Sequence, residues 1–101
     1  MADCSCMEDV ERALDARVDI VSTTLAGYTD ARHKTDGPDL EFLRDAVAAA
    51  KPHGIPVFCE GRIHTLDDAK AAIDAGAFSI VVGTAITHPT SITSWFANAI
   101  A

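Results

Sequence analysis

Three short runs of apolar and β-branched residues punctuate the chain: Val18–Ser22, Ile55–Cys59 and Phe78–Val82. Each is mostly apolar and bounded by turn residues, the pattern of strands buried on both faces. Met1–Cys4 reads as the stub of an earlier strand. Helical spacing fills the gaps. Met7, Val10 and Leu14 share one face, and Leu40, Leu43, Val47 and Ala50 share another. Leu66, Ala69 and Ile73 make a third stripe, and Ile92, Trp95, Phe96, Ala99 and Ile100 a fourth. Thr65 and Asp68 have the spacing of a capping box, with Asp in place of Glu. Gly76 stands where the third helix needs a left-handed residue, and Gly54 does the same after the second.

The predicted order is therefore a stub, then α-β-α-β-α-β-α. Strand–helix–strand repetition with right-handed crossovers gives a parallel sheet with helices outside it. Two architectures fit: a small open sheet or a segment of a (β/α)8 barrel. A complete barrel takes about 250 residues, whereas this chain has 101, one domain's worth at most. As a barrel segment it supplies roughly half the strands and leaves the inner face without cover. That face is expected to be apolar, built from Val18, Ile20, Val57, Cys59, Phe78, Ile80 and Val82.

Composition narrows the function classes. Lys and Arg total 8 against 15 Asp and Glu, a net charge of −7, which argues against a nucleic-acid face. An apolar fraction of 49% with 6 Gly and 4 Pro is that of a folded domain. No apolar run approaches the ~20 residues of a membrane helix, and the acidic start MADCSCMEDVER lacks the features of a secretory signal. Three cysteines, two of them one residue apart, fit a reducing cytoplasm better than a disulfide framework.

In either architecture the chemistry belongs beyond the C-terminal ends of the strands. This selects Asp3–Cys6, Thr23–Pro38, Glu60–Thr65 and Gly83–Pro89. Glu60 ends a buried strand, where an unpaired carboxylate is costly. It either transfers a proton or orients a substrate hydroxyl, or it forms a structural ion pair with Arg62 or another cation. Asp3 is either a second carboxylate near Glu60 or an N-terminal turn residue. Gly61 and Gly83 allow close backbone approach to a ligand, and a short helix after Gly83 would offer free N–H groups to a phosphate. The stretch Thr23–Pro38 is long for a connection. It reads as a loop over a polar ligand, with Asp30–Asp36 a solvated surface segment. The four histidines show no metal-ligand spacing, no metal site is expected, and Cys59 reads as a buried hydrophobe. Neither a nucleophile elbow nor a Walker loop is present.

Several strings, taken in order, resemble one family. They are Met1–Ser5, Asp19–Thr29 with its Ser22-Thr23-Thr24-Leu25 and Gly27-Tyr28-Thr29 segments, Gly37–Asp39, Ile55–Val57, Cys59–Ile63 and Val81–Thr87. They are similar to the N-acylmannosamine-6-phosphate 2-epimerases of bacterial sialic-acid catabolism, over essentially all 101 residues but only the C-terminal part of the family's chain. The resemblance implies a phosphate-binding (β/α)8 barrel, with this chain supplying the end of strand 5 and units 6 to 8. It implies interconversion of N-acetylmannosamine 6-phosphate and N-acetylglucosamine 6-phosphate by proton transfer at the acetamido-bearing carbon, without metal or organic cofactor. Asp3 and Glu60 become the active-site carboxylates by that resemblance. Gly61, Arg62, Gly83 and Thr84 surround the phosphate, and Thr23, Thr24, Gly27 and Tyr28 line or cover the sugar.

Two departures accompany it. The family's catalytic lysine belongs to the N-terminal half, and none of Lys34, Lys51 or Lys70 matches its motif. His88 stands where the family often has Arg. The expectation is a single incomplete domain, residues 1–101, that self-associates or folds poorly alone and lacks epimerase activity without the N-terminal half. The alternatives are a half-barrel that dimerises and binds phosphorylated sugars without catalysis, and another phosphate-binding barrel isomerase.

Overall fold

The computed structural model describes all 101 residues. Strand β1 (Ala2–Asp3) leads to helix α1 (Met7–Asp15), β2 (Val21–Ser22), α2 (Leu40–Ala50), a 3-10 turn (Lys51–His53), β3 (Val57–Glu60), α3 (Leu66–Asp74), β4 (Ser79–Val81), a short α4 (Thr84–Thr87) and α5 (Pro89–Ile100). The strands fall within the expected segments but are shorter, apart from β3, which runs on to Glu60. Val18–Ile20 lies outside the ladder, and Phe78 precedes it.

The sheet order is β1-β2-β3-β4, and every neighbouring pair is parallel. Spatial order follows chain order without a reversal. A doubly wound open sheet has such a reversal, and a barrel does not. The chain is accordingly an arc of a (β/α)8 barrel, with four of its eight strands.

Register decides what each face carries. Asp3 pairs with Ser22, Ser22 with Phe58, and Phe58 with Ser79, while Glu60 pairs with Val81. Partners in a parallel ladder share a face, and so do residues two apart. One face therefore presents Asp3, Ser22, Phe58, Glu60, Ser79 and Val81. The other presents Val21, Val57, Cys59 and Ile80, and the helices lie on it. This corrects the expected inner face. Val57 and Cys59 are buried under helices, and the uncovered face is mixed polar and apolar.

The core joins Val10 and Leu14 of α1, Phe42, Leu43, Ala46 and Ala50 of α2, and the strand residues Val21, Val57 and Cys59. Phe42, absent from the expected stripe, is fully buried, whereas Val47 lies at the edge of the core. The third and fourth stripes are corrected too. Leu66 is 91% exposed and Ile73 48%, and α5 buries none of its residues. Amphipathic helices bury a stripe only where a second layer meets it, and nothing in the chain covers these. Instead the Trp95 ring packs on His64, centroids 4.5 Å apart.

The end signals are as expected. Thr65 and Asp68 form a reciprocal capping box. Gly76 has a φ of +106°, and a Cβ there would lie 2.9 Å from the Val47 side chain. No helix is long and apolar enough to cross a membrane.

Candidate active site

The strand ends bring two carboxylates together through hydroxyls. Thr24 lies two residues beyond Ser22, on the face that carries Asp3 and Glu60. Its Oγ1 is 2.9 Å from Glu60 Oε2, 3.2 Å from Asp3 Oδ1 and 2.5 Å from Ser22 Oγ. Thr23, buried beside it, grips the Glu60 backbone. Its hydroxyl donates to the Glu60 carbonyl and accepts from the Glu60 N–H, both at 3.2 Å. The adjacent threonines thus fix Glu60 at main chain and side chain alike.

The turn that delivers Asp3 is held from behind. Asp9 accepts from the Ser5 hydroxyl at 2.6 Å and the Ser5 N–H at 2.9 Å. These bonds, the hydroxyl's first, hold the Asp9 carboxyl below its ordinary range. Burial, together with the charges of Asp9 and Asp3, pushes the Cys4 thiol up to about 11. Burial raises the Cys59 thiol as well. All three cysteines are free.

Arg62 does not pair with Glu60. Its Nε donates to the Gly37 carbonyl at 3.2 Å, and its Nη2 to the Ala26 carbonyl at 2.9 Å and the Thr35 hydroxyl at 3.3 Å. The Tyr28 ring lies against the guanidinium, 5.0 Å from centroid to Cζ. Nη1 is buried without a partner. The backbone turns sharply here, with φ +112° at Gly61 and +56° at Arg62. Gly27, φ +82°, lies behind this contact. A Cβ on it would come within 3.0 Å of both Arg62 Nη2 and the Lys34 Cα. The segment Asp30–Asp36 is therefore not simply solvated. Thr35 is tied to Arg62, and Arg32 forms an ion pair with Asp39 at 2.8 Å.

A cavity of about 280 Å³ opens beside Glu60. Glu60, Gly61, Arg62, Gly83, Thr84, Thr24 and Tyr28, all singled out from the sequence, line it together with His64. Asp3 reaches this group through Thr24, while Thr23 and Gly27 serve behind the wall. At Gly83 a Cβ would meet no protein atom within 4 Å, so the space above it is open. The N–H groups of Thr84 and Ala85 donate to nothing in the chain. A second cavity of about 490 Å³ shares Tyr28, Arg62, His64 and Thr84 and adds Lys34, Ser91 and Trp95. His88 lies outside both. It caps α5, its Nδ1 accepting from the Ser91 N–H at 3.3 Å.

Ser22 and His64 were not singled out from the sequence. Alternation along β2 puts Ser22 on the carboxylate face, and His64 falls within the loop after β3. Both signals were available. No three His, Cys, Asp or Glu side chains come together as a metal site.

The family model described as "Putative N-acetylmannosamine-6-phosphate epimerase" matches residues 1–101. A protein of Cutibacterium acnes described as "Putative N-acetylmannosamine-6-phosphate 2-epimerase" is 53% identical over 100 residues, 99% of this chain and 43% of its own length. Relatives with the same description from Corynebacterium glutamicum and Clostridium perfringens are 47% and 46% identical over 98 residues. The solved N-acetylmannosamine-6-phosphate 2-epimerase of Clostridium perfringens superposes with a TM-score of 0.89 at 44% identity, covering 96% of this chain and 41% of that one. A mandelate oxidase variant solved with an FMN adduct is more distant, with a TM-score of 0.60 at 25% identity over 93% of this chain and 31% of its own. The chain spans about two fifths of the length of the curated relatives it matches.

Proposed function

The chain belongs to the N-acetylmannosamine-6-phosphate epimerase family, and from that premise we propose that it forms the carboxylate and phosphate side of a sugar-phosphate 2-epimerase barrel. Residues 1–101 are one incomplete domain of that barrel. The substrate is N-acetylmannosamine 6-phosphate, and a proton leaves and returns at C2 to give the N-acetylglucosamine epimer.

The observation that carries this reading is the linkage of Asp3, Thr24 and Glu60 beside a cavity also lined by Gly61 and Gly83. Removing a proton from carbon needs a base near that carbon and an acid or hydrogen-bond donor for the opposite step. Glu60 is the group that handles the proton or holds the base ready, and Asp3 is its partner. Gly61, Arg62, Gly83 and Thr84 receive the phosphate, because free N–H groups and a cation favour an anion there. Thr24 and Tyr28 line the same cavity, where the sugar ring would rest, while Thr23 and Gly27 support that wall.

No lysine joins the carboxylates. Lys34 stands over the Tyr28 ring, Lys70 pairs with Asp74, and Lys51 is exposed at the end of α2. A catalytic lysine therefore comes from the remainder of the barrel. On its own the 101-residue chain binds a phosphorylated amino sugar without turning it over, either alone or as a self-associated half-barrel.

The test uses a complete barrel, made by joining this chain to the N-terminal part of the Cutibacterium acnes relative. It should exchange deuterium into C2 of N-acetylmannosamine 6-phosphate. Glu60→Gln should cut that rate by ~10²-fold or more, the scale of acid–base groups. A rate near that of the parent returns Glu60 to a structural role.

A further inference from the structure

Thr24 has one hydroxyl proton and three oxygen neighbours: Glu60 Oε2 at 2.9 Å, Asp3 Oδ1 at 3.2 Å and Ser22 Oγ at 2.5 Å. Ionised carboxylates only accept, and a serine hydroxyl can donate. The consistent assignment has Ser22 donating to Thr24, and Thr24 donating to one carboxylate at a time. Glu60 is the nearer. Ser22 is fully buried and holds its neighbour from the sheet side, while Thr24 is partly exposed and lines the cavity. The two acids are thus joined by a single O–H.

We propose that Thr24 is a positioning residue whose hydroxyl, backed by Ser22, holds the Glu60 carboxylate toward the cavity and couples it to Asp3, so that the two acids act as one unit. This deepens the epimerase reading and rests on it. When a substrate hydroxyl occupies one carboxylate, the Thr24 proton turns to the other. Neither acid is then left facing the other's charge without a donor between them. Lining the sugar is only part of what Thr24 does, since its hydroxyl is also engaged with both acids.

In the complete barrel, Thr24→Val keeps the shape and removes the proton. It should lower kcat by ~10–100-fold with KM within ~3-fold, because an interaction made through a catalytic group acts on turnover rather than on uniform binding. Thr24→Ser should return to within ~3-fold of the parent. Ser22→Ala, which leaves Thr24 free to choose its donor geometry, should give a smaller loss than Thr24→Val. In a Glu60→Gln background, Thr24→Val should cost less than ~2-fold further, since members of one unit are not additive. Equal cost in both backgrounds, a change in KM alone, or no rescue by Ser overturns the proposal.

A complete barrel without epimerase activity would refute the function reading and leave the positioning claim open to a structural readout. Crystal structures of the 101-residue chain should then show the Glu60 carboxylate displaced in Thr24→Val and unmoved in Thr24→Ser. An unmoved carboxylate in Thr24→Val overturns the proposal whatever the activity.

Discussion

Arg62 Nη2 lies 2.9 Å from the carbonyl oxygen of Ala26, 36 positions earlier in the chain. With the bonds to Gly37 and Thr35 it closes the long segment after β2 onto the loop after β3. A guanidinium suits this because its donors diverge in a plane, and an ammonium cannot reproduce the fork.

Arg62→Lys should consequently destabilise the chain by about 2–3 kcal/mol, in the range for lost hydrogen bonds to a charged group. Hydrogen exchange is the discriminating measurement. Amides from Ala26 to Asp36 should lose protection beyond the global change, and those of α1 should follow the global change only. Equal loss in both regions would show that Arg62 does not latch the loop.

Asp39 carries a pH-dependent part of the stability. Its carboxylate caps α2 by accepting from the Phe42 N–H at 3.1 Å, and it receives Arg32 Nε and Nη2 at 2.8 and 3.2 Å. Burial opposes its ionisation, but Arg32 and the Phe42 N–H outweigh that and keep the carboxyl below its ordinary value of 3.8. A depressed carboxyl stabilises the fold fully above the unfolded value and loses that contribution as pH falls through the folded one. Asp39→Asn keeps a capping oxygen and loses the charge. It should cost about 1.5 kcal/mol at neutral pH, from the weakened bonds to Arg32, and flatten the fall in stability below about pH 4. Acid unfolding followed by circular dichroism checks both, and an unchanged acid limb would exclude Asp39 as its source.

Local signals were legible in the sequence because they depend on neighbours a few residues away. The Thr65–Asp68 box and the left-handed Gly76 and Gly54 belong to this class. The strand C-termini that the sequence singles out also meet in space, since Glu60, Gly61, Gly83 and Thr84 line one cavity. Asp39, directly before the apolar Leu40, is a cap of the same local kind. Strand parity was not legible. In a run such as Val57-Phe58-Cys59 both parities are apolar, and only the register Ser22–Phe58–Ser79 says which one faces the helices. The alternative ion pair of Glu60 with Arg62 does not form, for a different reason. Glu60 is its near neighbour in sequence, but its actual partners lie 25 to 36 positions away.

Gly83 offers a clean probe of the phosphate end. Its φ is −106°, outside the left-handed region, and a Cβ would meet nothing within 4 Å. Gly83→Ala should leave stability within ~1 kcal/mol of the parent, because the added methyl meets no atom of the chain. The added methyl should nevertheless weaken binding of N-acetylmannosamine 6-phosphate by ~10-fold or more, the scale of one lost ligand contact of about 1.4 kcal/mol. Titration calorimetry on the complete barrel reads this, with N-acetylmannosamine as the control lacking phosphate. Unchanged affinity for the phosphorylated sugar would move the phosphate away from this loop.

The last prediction concerns the 101-residue chain by itself. Leu66, Phe78, Phe96 and Ile100 are each more than 70% exposed, and α5 buries nothing. The sheet face opposite the helices carries Phe58 and Val81 beside its polar residues, without a covering layer. Large exposed apolar area on one small chain favours association, because each buried Å² is worth roughly 25 cal/mol. Sedimentation equilibrium should accordingly find species heavier than the 10.7 kDa chain. Joining the N-terminal part of a relative should return a single species and, with it, C2 exchange. No lysine lies at the Asp3–Glu60 pair, so the chain alone should exchange no deuterium at C2. A monodisperse monomer that catalyses the exchange would overturn both the half-barrel reading and the assignment of the base to the rest of the barrel.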